Sequence, residues 1–299
     1  MKQRKSDILW KVVIEDVFPD LLRFIFPDAD EVYDMERGFE FLDKELAELY
    51  PQPEEEKDSR FADKLVKVYH RDGVEEWVLL HIEIQGDTHH REAFAERMYT
   101  YFYRIRDHHK RPVSAVAIFT GHDGREMPNR YTYEYRGTRL MYEYPAFSIL
   151  DYSDEHLEKS DNPFAQVIVA ARIRLLEEKI PEEDLLNIKL IAARKLMGKD
   201  FDKEKIRAIF NFLRNYVLFE KPEMNRIFDK QIKQTDKASV MNTVEYLKME
   251  GRAEGKEETT RFIVENLLRN SDYPVEKIAS ACGVSIEFVH EVKRRMKTW

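Results

Sequence analysis

At 299 residues, 43% hydrophobic and 35% charged, the chain has apolar material for a sizeable core and more than one average domain. Its net charge of −8 argues against a generic nucleic-acid coat, because phosphate binding draws on clustered lysine and arginine. It leaves room for a site built from acids with a local basic rim. A single cysteine, Cys282, excludes an internal disulfide and points to a reducing compartment, and no Cys-His spacing suits zinc. The N-terminus lacks a long apolar core and a small-residue cleavage site, and no apolar run approaches the roughly 18 residues of a membrane helix. A cytoplasmic protein without a membrane partner is expected.

Residues 6–25 read as a helix, capped by Ser6 or Asp7 and ended by Pro27 and Asp28. Residues 38–50, GFEFLDKELAELY, read either as a strand through Phe39 and Phe41 or as a short helix through Leu42, Leu46 and Leu49. Residues 51–59 form a polar loop.

The stretch from Arg60 to Gln85 reads as two strands joined by a tight turn at Asp72-Gly73. Alternation puts Trp77, Leu79, His81, Glu83 and Gln85 on one side, and Val78, Leu80, Ile82 and Ile84 on the other. Asp63, Leu65 and Lys67 share one side of the first strand. Antiparallel pairing then sets Asp63 level with Glu83 and Gln85 at the far end of the hairpin. Two carboxylates beside apolar runs are costly unless paired or bound to a cation, and they suit a hard ion such as Mg²⁺. The plainer reading is solvated strand ends, or pairing with Arg60, Lys64 or Lys67.

Residues 91–109 follow as a helix with a buried stripe of Phe94, Met98, Tyr101 or Phe102, and Ile105. The adjacent pairs His89-His90 and His108-His109 are poor metal sites, because chain neighbours rarely point at one ion. Residues 113–120 are a nearly all-apolar strand, as a sheet covered on both faces requires. Residues 130–145 alternate aromatic and polar around Arg136-Gly137, a second hairpin. Its tyrosines suit cross-strand packing or stacking on bases.

From Leu150-Asp151 helical periods dominate, over 163–179, 182–197, 203–219 and 222–269, with a charged, glycine-bearing hinge at 251–258. This part is expected to pack, to position substrate or to self-associate as a homo-oligomer. Residues 274–293 are spaced like a helix-turn-helix, with Gly283 in the turn and Ser285 capping the second helix. Glu287 and Glu291 on that helix oppose a DNA-reading role, and simple packing is the alternative.

Several phrases carry a family resemblance: FLDKEL at 41–46, DKLVKV at 63–68, LLHIEIQG at 79–86, FAERMYTYFYRI at 94–105 and PVSAVAIFT at 112–120. With an acid opening the second strand and Glu-x-Gln on the third, they resemble the Rpn-type recombination-promoting nuclease and transposase family of the PD-(D/E)xK superfamily. The resemblance implies an α/β fold with a restriction-endonuclease-like core, a mixed sheet flanked by helices, followed by an all-helical C-terminal region. The expected division is a nuclease-like domain over 1–150, a helical subdomain over 151–270 and a small helix-turn-helix-like motif over 271–299.

It further implies a Mg²⁺- or Mn²⁺-dependent DNA endonuclease linked to recombination or transposition. Asp63 and Glu83 are then the metal ligands, and Gln85 the third catalytic residue, orienting the water. Asp7 and Asp16 on the first helix are candidates for a further carboxylate, the plainer reading being helix capping and solvent. The functional reading of Arg97, one turn below Tyr101, puts it near the scissile phosphate with Tyr101 as a further DNA contact; the plainer one is solvated surface or pairing with Glu92 and Glu96. Gln85 departs from the superfamily's lysine and cannot supply a positive charge. The alternative is therefore a catalytically degenerate nuclease fold that binds DNA or a protein.

Overall fold

A computed structural model of the protein describes residues 2–44, 46, 61–83, 91–177, 179–235, 263–269, 273–282 and 284–297. Helix α1 spans Lys2–Ile25 and bends at Val17 (φ −121°, ψ 22°). Pro19 explains the bend: it has no amide N–H, and its ring crowds the carbonyl four residues back. A short α2, Ala29–Val32, follows. The segment open between strand and helix begins as a two-residue strand, β1 (Glu40–Phe41), and turns helical at residues 43–44. Then come β2 (Phe61–Tyr69), β3 (Glu75–Glu83), α3 (Arg91–His109) and β4 (Val113–Phe119). The succession of helix, strands, helix, strand matches the sequence expectation.

One mixed sheet has the order β1-β2-β3-β4-β7, the last strand being Ala146–Ser148. Strands β1, β2 and β3 pair antiparallel, whereas β4 runs parallel to both β3 and β7. Leu65, Trp77, Leu79, Ala115, Ala117 and Phe119 form one core with Phe94, Met98, Tyr101 and Ile105 of α3. The expected stripe of α3 is thus its buried face, with Tyr101 rather than Phe102 in it. The alternate residues Val66, Val68, Val78, Leu80, Ile82 and Val116 are fully buried on the other face. There Lys64 of β2 meets Glu15 of α1 and Asp43.

The loop between β2 and β3 decides a parity. His70 N–H donates to the Val74 carbonyl, Gly73 N–H donates to the His70 carbonyl, and Gly73 has φ +89°. This is a three-residue loop closed by a left-handed glycine, not a two-residue turn on Asp72-Gly73. A two-residue turn there would set Asp63 opposite Ile82, on the other face of the sheet. The observed register sets Asp63 opposite His81, and Glu83 opposite Phe61. Asp63 is therefore level with His81, two positions short of the Glu83 level expected from the sequence.

Between β4 and β7 the chain makes a separate ribbon, β5 (Arg130–Tyr135) and β6 (Thr138–Glu143). Arg136 (φ 46°) and Gly137 (φ 86°) form its turn, as the expected second hairpin requires. Three helices complete this part: α4 (Asp154–Lys159), α5 (Pro163–Arg174) and α7 (Lys203–Tyr216). Trp10 of α1 meets Phe212 of α7 with ring centroids 5.0 Å apart, and Phe24 meets Phe164 of α5 at 5.4 Å.

Two compact units result, residues 1–175 with 199–216, and residues 176–198 with 217–299. The second holds α6 (Glu182–Met197), α8 (Pro222–Thr235), a helical stretch at 263–269, α9 (Val275–Cys282) and α10 (Ile286–Lys297). Its Lys189 is fully buried, donating to the Val217 carbonyl at 2.6 Å beneath the Phe219 and Phe228 rings. Ile278 of α9 and Val289 and Val292 of α10 pack with Val264 and Leu267. Ser285 caps α10 by accepting the Phe288 N–H at 3.1 Å, as its spacing predicted. The hinge at 251–258 lies outside the described residues. Among the described residues no helix is long and apolar enough to cross a membrane.

Candidate functional site

Asp63 reaches the site because β2 is extended and its inward positions alternate with outward ones. The face it joins is the one covered by α3. His81, its register partner, has no exposed surface, and His81 Nδ1 directly contacts Asp63 Oδ1. Asp63 keeps 13% of its side-chain surface. On the far side of the imidazole, Arg97 Nη2 lies 3.1 Å from His81 Nε2. The proton arrangement that satisfies both contacts is a neutral imidazole. Its Nδ1–H donates to the carboxylate, and its Nε2 accepts from the guanidinium.

The electrostatics agree with this assignment. Burial pushes the Asp63 carboxyl up, but contact with His81 and the nearby Arg97 and Lys11 charges hold it below its ordinary value. Burial also pushes the His81 imidazole down, and Arg97 adds to that push while Asp63 opposes it. An ionised aspartate therefore faces a neutral histidine. Phe94 stands edge-on to His81 at 5.0 Å, and Tyr101 does so at 6.3 Å. Both rings belong to the core and keep water from the imidazole.

Helix α1 brings a second acid. Asp7 is 8% exposed, and its Oδ1 is buried without a hydrogen-bond partner. Its Oδ2 lies 3.6 Å from Lys11 Nζ, one turn along the helix. Burial raises the Asp7 pKa to about 7; Lys11 opposes the rise and the Asp63 charge adds to it. Asp63 is thus near enough for its charge to raise the Asp7 pKa further. Asp16, the other candidate on α1, lies exposed two and a half turns along.

Glu83 occupies the last position of β3, beside Phe61 on β2 and Phe119 on β4. Its side chain, and all of Gln85, lie outside the described residues, as do His89 and His90. His109 packs on Trp77 with ring centroids 4.1 Å apart. Among the described residues no group of three or more His, Cys, Asp or Glu has the geometry to hold a metal.

The sequence reading placed His81 on the face of Glu83 but gave it no part. The signal was there: a titratable residue at an inward position, two before the Glu, between leucine and isoleucine. Comparison of the chain with protein-family models, with curated proteins and with solved structures returned no match. The functional reading therefore rests on the geometry above and on the phrases of the sequence.

Proposed function

We propose that the protein is a metal-dependent DNA endonuclease of PD-(D/E)xK type, acting in recombination or transposition, with Mg²⁺ or Mn²⁺ as cofactor. The observation that carries this reading is the buried Asp7 with the half-buried Asp63, whose charge adds to the burial that raises the Asp7 pKa, at one end of the central hairpin. The buried Asp7 Oδ1 lacks a partner, and such an acceptor is costly unless a cation or donor meets it. Two carboxylates fit a hard divalent ion, which takes one or two such ligands and otherwise water and phosphate. In donor chemistry, two carboxylates of this kind suit such an ion. A bound ion supplies Lewis-acid polarisation of the scissile phosphate and of a nucleophilic water.

The chain's own groups have defined tasks. Asp63 offers carboxylate oxygen and fixes the tautomer of His81. His81 orients Arg97 through Nε2. A planar guanidinium such as that of Arg97 suits contact with a phosphate oxygen. By the family resemblance Glu83 completes the acid set, and Gln85 orients the attacking water by hydrogen bonding.

One observation favours a second reading, a non-catalytic DNA- or protein-binding module. Asp63 Oδ1 is already engaged by His81, which Arg97 closes from the other side. A network closed in this way can be structural.

Plasmid nicking with Mg²⁺ and with Mn²⁺ separates the two. The intact protein should nick, while Asp63→Ala and Glu83→Ala should each lose at least about 100-fold in rate. Circular dichroism checks that each variant is folded. Equal nicking by all three proteins, or none with any divalent metal, overturns the catalytic reading.

A further inference from the structure

The face of the β5–β6 ribbon that carries Tyr131, Tyr133 and Tyr135 also carries Leu140 and Tyr142, by the register Tyr131 to Tyr142 and Tyr133 to Leu140. Near α3 this face is packed. Tyr131 stacks on Tyr99 at 5.3 Å and 15°, and Tyr142 lies 4.8 Å from Phe102. Farther out the same face is bare: Tyr133 is 46% exposed and Tyr135 60%. Tyr103 on α3, 53% exposed, continues the series from Tyr99 at 6.2 Å and 27°. Rings needed only for the ribbon's own packing would sit against α3, as Tyr131 and Tyr142 do. Tyr99, Phe102, Tyr103, Arg106, Asp107 and Lys110 line a groove of about 410 Å³ beside them.

The charge of this surface runs against that of the chain. Residues 99–111 hold Arg104, Arg106, Lys110 and Arg111 against Asp107 alone, in a chain of net charge −8, whereas the Arg130–Glu143 and Arg139–Glu134 pairs of the ribbon stand in register on the face opposite the tyrosines. Asp107 is met by Lys110 at 2.6 Å, and Arg111 lies 3.7 Å from Glu75 of β3. Arg106 lines the groove, and Arg136 in the ribbon turn has its guanidinium 5.7 Å from the Tyr135 ring centre. Exposed tyrosine rings beside arginines complement an anionic chain whose bases are free to stack. A duplex hides its base faces and offers such rings little.

We infer that this surface, between the C-terminal half of α3 and the outer face of the β5–β6 ribbon, binds single-stranded nucleic acid. The bases stack on Tyr103, Tyr133 and Tyr135, and Arg106 and Arg136 meet the phosphates. The inference deepens the nuclease reading, to which it assigns an unpaired segment in the substrate, but its test needs no cleavage.

The test is fluorescence anisotropy of a labelled 15-nucleotide oligo-dT in EDTA at low salt, beside a 15-base-pair duplex. The oligo-dT should bind more tightly than the duplex. Tyr133→Ala/Tyr135→Ala should weaken it by about 10- to 100-fold, while Tyr133→Phe/Tyr135→Phe, which keeps both rings, should stay within about threefold of the intact protein. Binding unaffected by the alanine pair, equal binding of duplex, or no binding of oligo-dT overturns the proposal. So does sedimentation that shows a dimer split by the alanine pair without oligonucleotide binding, which assigns the surface to a second copy of the chain. Nicking that fails while oligo-dT binding holds removes only the catalytic reading.

Discussion

The two ends of the central hairpin pair the same chemical types, an acid with a histidine, yet differ in how fully they are satisfied. At the loop end, Glu76 is 6% exposed. His70 meets Glu76 Oε2 at 2.5 Å, the Tyr33 hydroxyl donates to that oxygen at 3.4 Å, and the Ser114 hydroxyl donates to Oε1. Both oxygens are therefore used. Burial and the Glu76 charge beside it raise the Tyr33 pKa, so the phenol stays a donor. At the opposite end Asp63 has His81 and Arg97, but neighbouring Asp7 has an unmet oxygen and a pKa raised to about 7. A closed set of hydrogen bonds is what a fold needs. An open set at the same depth is what a ligand site needs, and its cost falls on stability.

The comparison breaks most readily at Glu76. Glu76→Ala leaves the Tyr33 and Ser114 hydroxyls and His70 without their acceptor in a buried place. It should destabilise the fold by about 3 kcal/mol in chemical denaturation. A loss below about 1 kcal/mol would show that the loop end is not a closed structural set.

Asp7→Asn tests the other end, with the opposite sign. Folded Asp7 holds its proton up to about pH 7, against 3.8 for the free group. Between these values the folded state binds more protons than the unfolded one. The contribution of this group to stability is therefore full below the lower value and is lost as pH rises through the upper. Removing the charge should stabilise the protein at pH 8 by on the order of 2–3 kcal/mol, and change little at pH 3.5. Thermal unfolding at the two pH values measures this. Adding millimolar Mg²⁺ at pH 8 should raise the melting temperature of the intact protein and not that of the variant. The same shift in both would remove Asp7 from any ion site.

The smallest effect is expected for His70→Gln. This residue is 26% exposed in its side chain, and glutamine retains a donor for Glu76. The loss should stay within about 1 kcal/mol, measured by the same denaturation.

Much of the fold was legible because its elements carry strong local periods. Helix α3 has its stripe, β4 its apolar run, and the β5–β6 turn the Arg-Gly pair that accepts positive φ. Boundaries were less legible where packing sets them. Helix α5 ends at Arg174, and α7 at Tyr216, whose carbonyl the Arg174 guanidinium holds at 2.6 Å. The candidate site was legible as far as Asp63 and the strand that carries Glu83. The Asp63–His81–Arg97 relay was not, because it joins residues from three elements.

The amino-acid order alone fixed which side chains alternate along each strand and which form a stripe on each helix, because those follow from the local backbone repeat. Only the tertiary structure decided what Asp63 faces. One added residue in the loop at 71–73 changes the parity of the pairing, and with it whether this acid meets a histidine under α3 or lies on the opposite face. It also decided the state of Asp7, since losing water and gaining a like charge nearby depend on what packs around a residue rather than on its neighbours along the chain.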